Sequence, residues 1–125
     1  MITNFKLFEE KKNDKNIIWG MFNNNVEQIQ YGIERGEDVD ACNSFGETAL
    51  MHLLNQRKYN NYDTEFLNKV IDELIKNDAD WNIKTLNGKD IFDYADEYIS
   101  IYLKEQYPEK YQEYLKKKAS SDFNL

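Results

Sequence analysis

A chain of 125 residues holds one domain and one core, and 41% hydrophobic content with 14% aromatics argues against disorder despite a mean hydropathy of -0.83. The net charge of -7 is unevenly placed: residues 26–103 carry seven Lys or Arg against sixteen acids, whereas residues 1–25 and 104–125 are each +1. That acidic field disfavours nucleic acid and anionic membranes and favours a basic protein partner, although solubility alone also accounts for it.

Cys42 is the one cysteine, so no intrachain disulfide forms. No apolar run approaches the roughly 18–20 residues that span a bilayer. The start, Met1 to Lys6, lacks the long apolar core of a signal peptide. A cytoplasmic location is the expectation.

In chain order, Ile2, Phe5, Leu7 and Phe8 give an apolar start that covers one end of the core, followed by a solvated run from Glu9 to Lys15. Asn16 then caps a helix carrying Ile17, Ile18, Trp19, Met21 and Phe22. Asn23-Asn24-Asn25 is a turn, and Val26, Ile29 and Ile33 follow helical spacing up to a stop at Gly36. The next stretch, Asp38 to Met51, reads as an extended arm, a tight turn at Gly46, and a helix entered through Thr48 with Ala49, Leu50, Leu53 and Leu54 on its apolar side. Asn55 to Asp63 contains no aliphatic residue and is predicted to be a loop.

Asp63 or Thr64 caps a further helix, in which Phe66, Leu67, Val70, Ile71, Leu74 and Ile75 draw one broad apolar stripe. Asn77-Asp78 ends it. A second arm and turn run from Asp80 to Lys89, and Asp90 caps one helix carrying Ile91, Phe92, Tyr94, Ala95, Tyr98, Ile99, Tyr102 and Leu103. Pro108 suits the first turn of a last helix, Glu109 to Lys118, with Tyr111, Tyr114 and Leu115 inward, and residues 119–125 fray.

The two arm-and-turn stretches resemble the ankyrin repeat, whose pattern is about 33 residues of two antiparallel helices and a β-turn. Gly46-Glu47-Thr48-Ala49-Leu50-Met51 is similar to the family's Thr-Pro-Leu-His segment, with Ala for Pro and Met for His. Gly36-Glu37-Asp38-Val39-Asp40-Ala41 and Asp78-Ala79-Asp80-Trp81-Asn82-Ile83 are similar to its Gly-Ala-Asp-Val-Asn end. Gly46 and Gly88 lie 42 residues apart, longer than the family period, and Asp90-Ile91-Phe92-Asp93 keeps only the capping logic of the motif. The resemblance covers roughly residues 16–103. It implies an all-α, ankyrin-like solenoid of stacked helix-turn-helix units with short β-turn arms.

Its units are an N-terminal capping hairpin over 1–36, a central repeat over 37–78 with an inserted loop at 55–63, a divergent third repeat and C-terminal cap over 79–118, and a frayed tail at 119–125. The end units must each hide one face. The aromatics Phe5, Phe8, Trp19 and Phe22 at one end, and Tyr98, Tyr102, Tyr107, Tyr111 and Tyr114 at the other, are expected to do so.

Little in the chain points to catalysis. His52 stands between apolar residues without a second ligand at metal spacing, and no third residue orients a Cys42–His52 pair. Asp38 and Asp40 share a face of the arm and could meet Ca²⁺, but satisfying loop amides is the simpler role. Asp93, Asp96 and Glu97 read as a solvated face, and no Gly-rich phosphate loop or zinc cluster is present. No enzyme activity, cofactor or metal is expected.

In ankyrin proteins the turn tips and inner helices contact the partner. The resemblance therefore assigns partner binding to Ser44, Phe45 and Glu47 in one copy and to Leu86, Asn87 and Lys89 in the other. It adds the inner-helix positions Asn55 and Gln56, then Glu97 and Tyr98. The inserted loop contributes Arg57, Tyr59 and Tyr62, residue types that anchor interfaces. The implied function is a protein-binding module, monomeric when free, that blocks a basic partner in the manner of an immunity protein against a toxin nuclease. The alternative is a general adaptor or host-directed interaction protein.

Overall fold

The computed structural model describes residues 15–59 and 63–123. These form seven helices: α1 (Asn16–Phe22), α2 (Val26–Glu34), α3 (Ala49–Tyr59), α4 (Thr64–Lys76), α5 (Ile91–Tyr94), α6 (Glu97–Gln106) and α7 (Pro108–Phe123). The described residues contain no strand, and their one β-type pairing is an isolated antiparallel bridge between Cys42 and Thr48. None of these helices is long and apolar enough to cross a membrane.

The α1–α2 hairpin closes at two glycines. A Cβ on Gly20 would lie 2.7 Å from Ile29 Cγ1, and one on Gly32 would lie 2.7 Å from Ile17 Cγ1. Asn25, rather than Asn16, supplies the side-chain cap in this hairpin, accepting from the Gln28 amide. Asn16 is the first residue of α1, and its helix is capped from a distance: the Ile17 amide donates to Glu37 Oε1 at 2.9 Å, and Asn16 Nδ2 donates to Glu37 Oε2 at 2.8 Å. The long-range acid takes the place of the expected local cap because it arrives at the helix N-terminus, where backbone amides lack partners.

Layers follow from which helices touch. α1 packs on α2 and α3, α2 on α4, α3 on α4 and α5, and α6 on α7. The core runs through this stack, with Val26, Ile29, Leu50, Leu53, Leu54, Leu67, Val70, Ile71, Leu74, Ile75 and Ile91 fully buried. Asp63 caps α4 by accepting from the Glu65 and Phe66 amides. Thr48 Oγ1 accepts from the Met51 amide at 3.4 Å at the entrance to α3.

Three helix expectations change. The loop predicted from Asn55 is helical as far as Tyr59, since polar Gln, Arg and Lys extend a helix readily and Arg57 is bonded to its neighbours. The single helix predicted after Asp90 is interrupted. Ala95 is extended (ψ 139°), and Asp96 caps a new start by accepting from the Ile99 amide. The last helix continues through the expected frayed region to Phe123.

The ends also differ from expectation. Trp19 and Phe22 are exposed, touching each other edge to face at 5.9 Å, so among the described residues they hide no core. Tyr98 is exposed as well, whereas Tyr102, Tyr107, Tyr111 and Tyr114 pack against the core. Phe5, Phe8 and Tyr62 lie outside the described residues.

Candidate partner-binding surface

The first tip is built by Asn43. Its Oδ1 accepts from the Phe45 and Glu47 amides, both at 3.0 Å, while its backbone exchanges bonds with Gly46 and Glu47. The turn requires a positive φ at Gly46 (81°). Thr85 does the same work in the second tip: Oγ1 accepts from the Lys89 amide at 3.1 Å, and its backbone pairs with Gly88 and Lys89.

The correspondence extends up the arms. Asp38 Oδ1 accepts from the Asp40 amide, and Asp80 Oδ1 accepts from the Asn82 amide. Each of these matched pairs is separated by 42 residues, as are Gly36 and Asp78, both with positive φ where a helix ends. The copies are also bonded to each other. The Asp80 amide donates to Asp40 Oδ1 at 2.8 Å, and the Leu86 amide donates to the Phe45 carbonyl at 3.1 Å.

That last bond sets the two tips edge to edge. Phe45 is 68% exposed and Leu86 79%, so two residues with large exposed apolar side chains are joined by one backbone hydrogen bond. Neither side chain is tucked against the neighbouring arm. Ser44, Asn87 and Lys89 are exposed around them.

Glu47 belongs to the same tip but is committed internally. Its carboxylate accepts from Asn43 Nδ2 at 2.9 Å and from the Tyr94 hydroxyl at 3.1 Å. Burial, then the Glu47 hydrogen bond and charge, push Tyr94 up to about 12. Glu47 is thus a strut between a tip and α5 rather than a free contact.

Arg57 is likewise not a free anchor. Its Nε donates to Asn68 Oδ1 at 2.9 Å and its Nη1 pairs with Asp96 at 3.0 Å, with side-chain exposures of 17% and 25% for the ion pair. The pair fastens the last turn of α3 to the start of α6. A second exposed group gathers beside it: Tyr59 at the end of α3, with Lys58 Nζ 5.2 Å from its ring centroid, and Glu97 and Tyr98 at the start of α6. Ile101, one turn beyond Tyr98, is also exposed and is not among the predicted contacts. Its clue is that it falls off the apolar stripe of Ile99, Tyr102 and Leu103.

The predicted contacts therefore fall into two clusters, tips and helix end, flanking α3 along roughly 15 Å of helix. Asn55 and Gln56 lie between them and are half-buried. His52, also half-buried, has Nε2 at 3.1 Å from Asn24 Oδ1, and burial lowers its pKa below 6.5. Cys42 is exposed beside the bridge to Thr48. Among the described residues no group of three His, Cys, Asp or Glu side chains could hold a metal ion.

No protein-family model, curated protein or solved structure matches the chain.

Proposed function

We propose that this chain is a non-enzymatic, ankyrin-type binding module that docks a basic protein through its two turn tips. The observation that carries the reading is the Leu86-to-Phe45 backbone bond, which joins two residues with exposed apolar side chains at the junction of two matching arms. A turn whose backbone is already fixed spares an interface the cost of ordering that loop, leaving only the side-chain entropy to be lost. The 42-residue recurrence of turns, caps and arm bonds supports the repeat architecture. Seven basic against sixteen acidic residues over 26–103 support a basic partner, steered by the field and seated by the tips.

In its sharper form the module occludes its partner as an immunity protein occludes a toxin. Affinity capture on the immobilised chain tests this, with bound proteins identified and their stoichiometry measured by light scattering. One basic partner, held one to one and with its activity blocked, is the expected outcome. Several partners held weakly would favour an adaptor instead. A captured protein that is acidic and insensitive to salt would contradict the charge argument.

A further inference from the structure

The chain's one Asn-Gly pair, Asn87-Gly88, sits at the second tip. The amide carbon of an asparagine side chain is an electrophile that the backbone nitrogen of the next residue can reach by closing a ring. A following glycine leaves that nitrogen unshielded, because it has no Cβ. In a folded chain the ring closes only where the asparagine is free to turn, and in this respect the two tips differ.

Asn43, in the first tip, is held at both ends of its amide. Its Oδ1 accepts from the Phe45 and Glu47 amides at 3.0 Å, and its Nδ2 donates to Glu47 at 2.9 Å. Ser44 follows it, so the nitrogen that would attack stands beside a side chain. Asn87 has none of these restraints. It is exposed, and its side chain has no hydrogen-bond partner among the described residues. Gly88 is left-handed (φ 79°), and a Cβ built on it would meet nothing within 4 Å, so the turn is open on that side. One bond opposes the reaction: the Gly88 amide donates to the Thr85 carbonyl at 2.9 Å. That bond closes an exposed turn, and opening it frees the nitrogen.

We propose that Asn87 is a site of spontaneous deamidation, through which the second tip gains a negative charge as the protein ages. Solvent hydroxide takes the Gly88 amide proton, and the nitrogen attacks Asn87 Cγ. The Cγ–N bond forms, the Cγ–Nδ2 bond breaks, and Nδ2 leaves as ammonia after taking a proton from water. The product is a cyclic imide. Water then opens the ring at either carbonyl. Breaking the new Cγ–N bond gives aspartate, and breaking the original peptide bond gives isoaspartate, whose main chain runs through Cγ and is one methylene longer. No electrons are transferred, and water is the only co-reactant. Both products place a carboxylate between Leu86 and Lys89. Isoaspartate also lengthens the backbone next to Leu86, whose amide joins the two tips through the Phe45 carbonyl.

The full chain is held at pH 8 in buffer and in urea, and sampled over days by proteolytic mapping and mass spectrometry. In buffer Asn87 is expected to convert at least about tenfold faster than Asn43, which must give up three hydrogen bonds to close its ring. Urea removes the Thr85–Gly88 bond and should speed Asn87 about fivefold, while Asn43 should gain by a larger factor. Aspartate and isoaspartate should both appear at position 87, separable by chromatography. Asn87→Gln, which would have to close a larger ring, is expected to leave the tip peptide unconverted. Conversion of Asn87 in urea but not in buffer would show that the turn protects it and would overturn the proposal. So would a rate in buffer no faster than that of Asn43, or aspartate formed without isoaspartate. Mass and elution read this chemistry without any partner, so the partner-binding reading stands or falls separately.

Discussion

The arms at 36–48 and 78–90 share a backbone plan but serve different neighbours. The first leads into an eleven-residue helix, α3, buried on several sides. The second leads into a four-residue helix, α5, that ends at once. The shorter helix is held by stronger polar contacts: Asp90 and Asp93 form a reciprocal capping box, and the Tyr114 hydroxyl donates to Asp90 at 2.5 Å. Thr48, at the matching place, has a longer 3.4 Å cap bond and lies beneath apolar packing. At the second arm, hydrogen bonds to α7 are added to the aromatic packing of Phe92 against Tyr111 and Tyr114. Asn82 supplies another. Asp40 reaches across to the next arm, whereas Asn82 Nδ2 donates to the Tyr114 carbonyl at 3.1 Å.

Mutating matched positions tests how far the copies differ. Asp90→Ala removes both the cap and the Tyr114 acceptor in a buried place, and should cost about 3 kcal/mol in urea unfolding. Thr48→Ala loses only the cap and should cost about 1 kcal/mol. Equal losses would show that the C-terminal cap does not depend on Asp90.

The glycines give the next contrast. Both turns need a left-handed φ, for which alanine pays about 1–2 kcal/mol. A Cβ at Gly46 would in addition meet Leu86 N at 3.1 Å and Thr85 Cα at 3.2 Å, whereas one at Gly88 meets nothing within 4 Å. Gly46→Ala should therefore lower the Tm more than Gly88→Ala. The reverse order would mean that the tips are not held edge to edge.

Asp40→Asn converts the first arm to the residue of the second, and should raise the Tm slightly at pH 7. Its folded carboxyl titrates above 3.8, so the folded state binds more protons just above that value. Wild-type stability is then lost as pH rises through this window. The variant's advantage should be full at neutral pH and vanish below 3.8. An advantage that persists at pH 3 would assign the effect to packing rather than charge.

Sequence signals were clearest where a residue type obeys a local rule. Gly36, Gly46 and Gly88 marked turns, Asp63 and Asp90 marked helix starts, and the Leu67–Ile75 stripe marked a buried face. Signals failed where a partner distant in sequence decides the outcome. Glu37 caps α1 across 20 residues, and Arg57 keeps α3 helical by reaching Asp96, 39 residues on. The break at Ala95–Asp96 was written in Asp96 and Glu97, an N-cap and a first-turn acid, but the apolar spacing on both sides hid it. Within the surface, Phe45 and Leu86 could be picked out because turn tips are exposed by construction. Arg57 and Glu47 could not, since a charged residue reads the same from sequence whether it meets water or a neighbour.

The central claim is that the paired tips bind a basic protein, and one titration tests it most directly. The captured partner is titrated calorimetrically against wild type and the double variant Phe45→Ala, Leu86→Ala. Both side chains stand in solvent, so the variant's Tm should match wild type within a degree or so. Its affinity should fall at least about tenfold, since removing two apolar anchors costs an interface more than 1.4 kcal/mol. An unchanged affinity in a folded variant, or a variant that unfolds, would contradict the account.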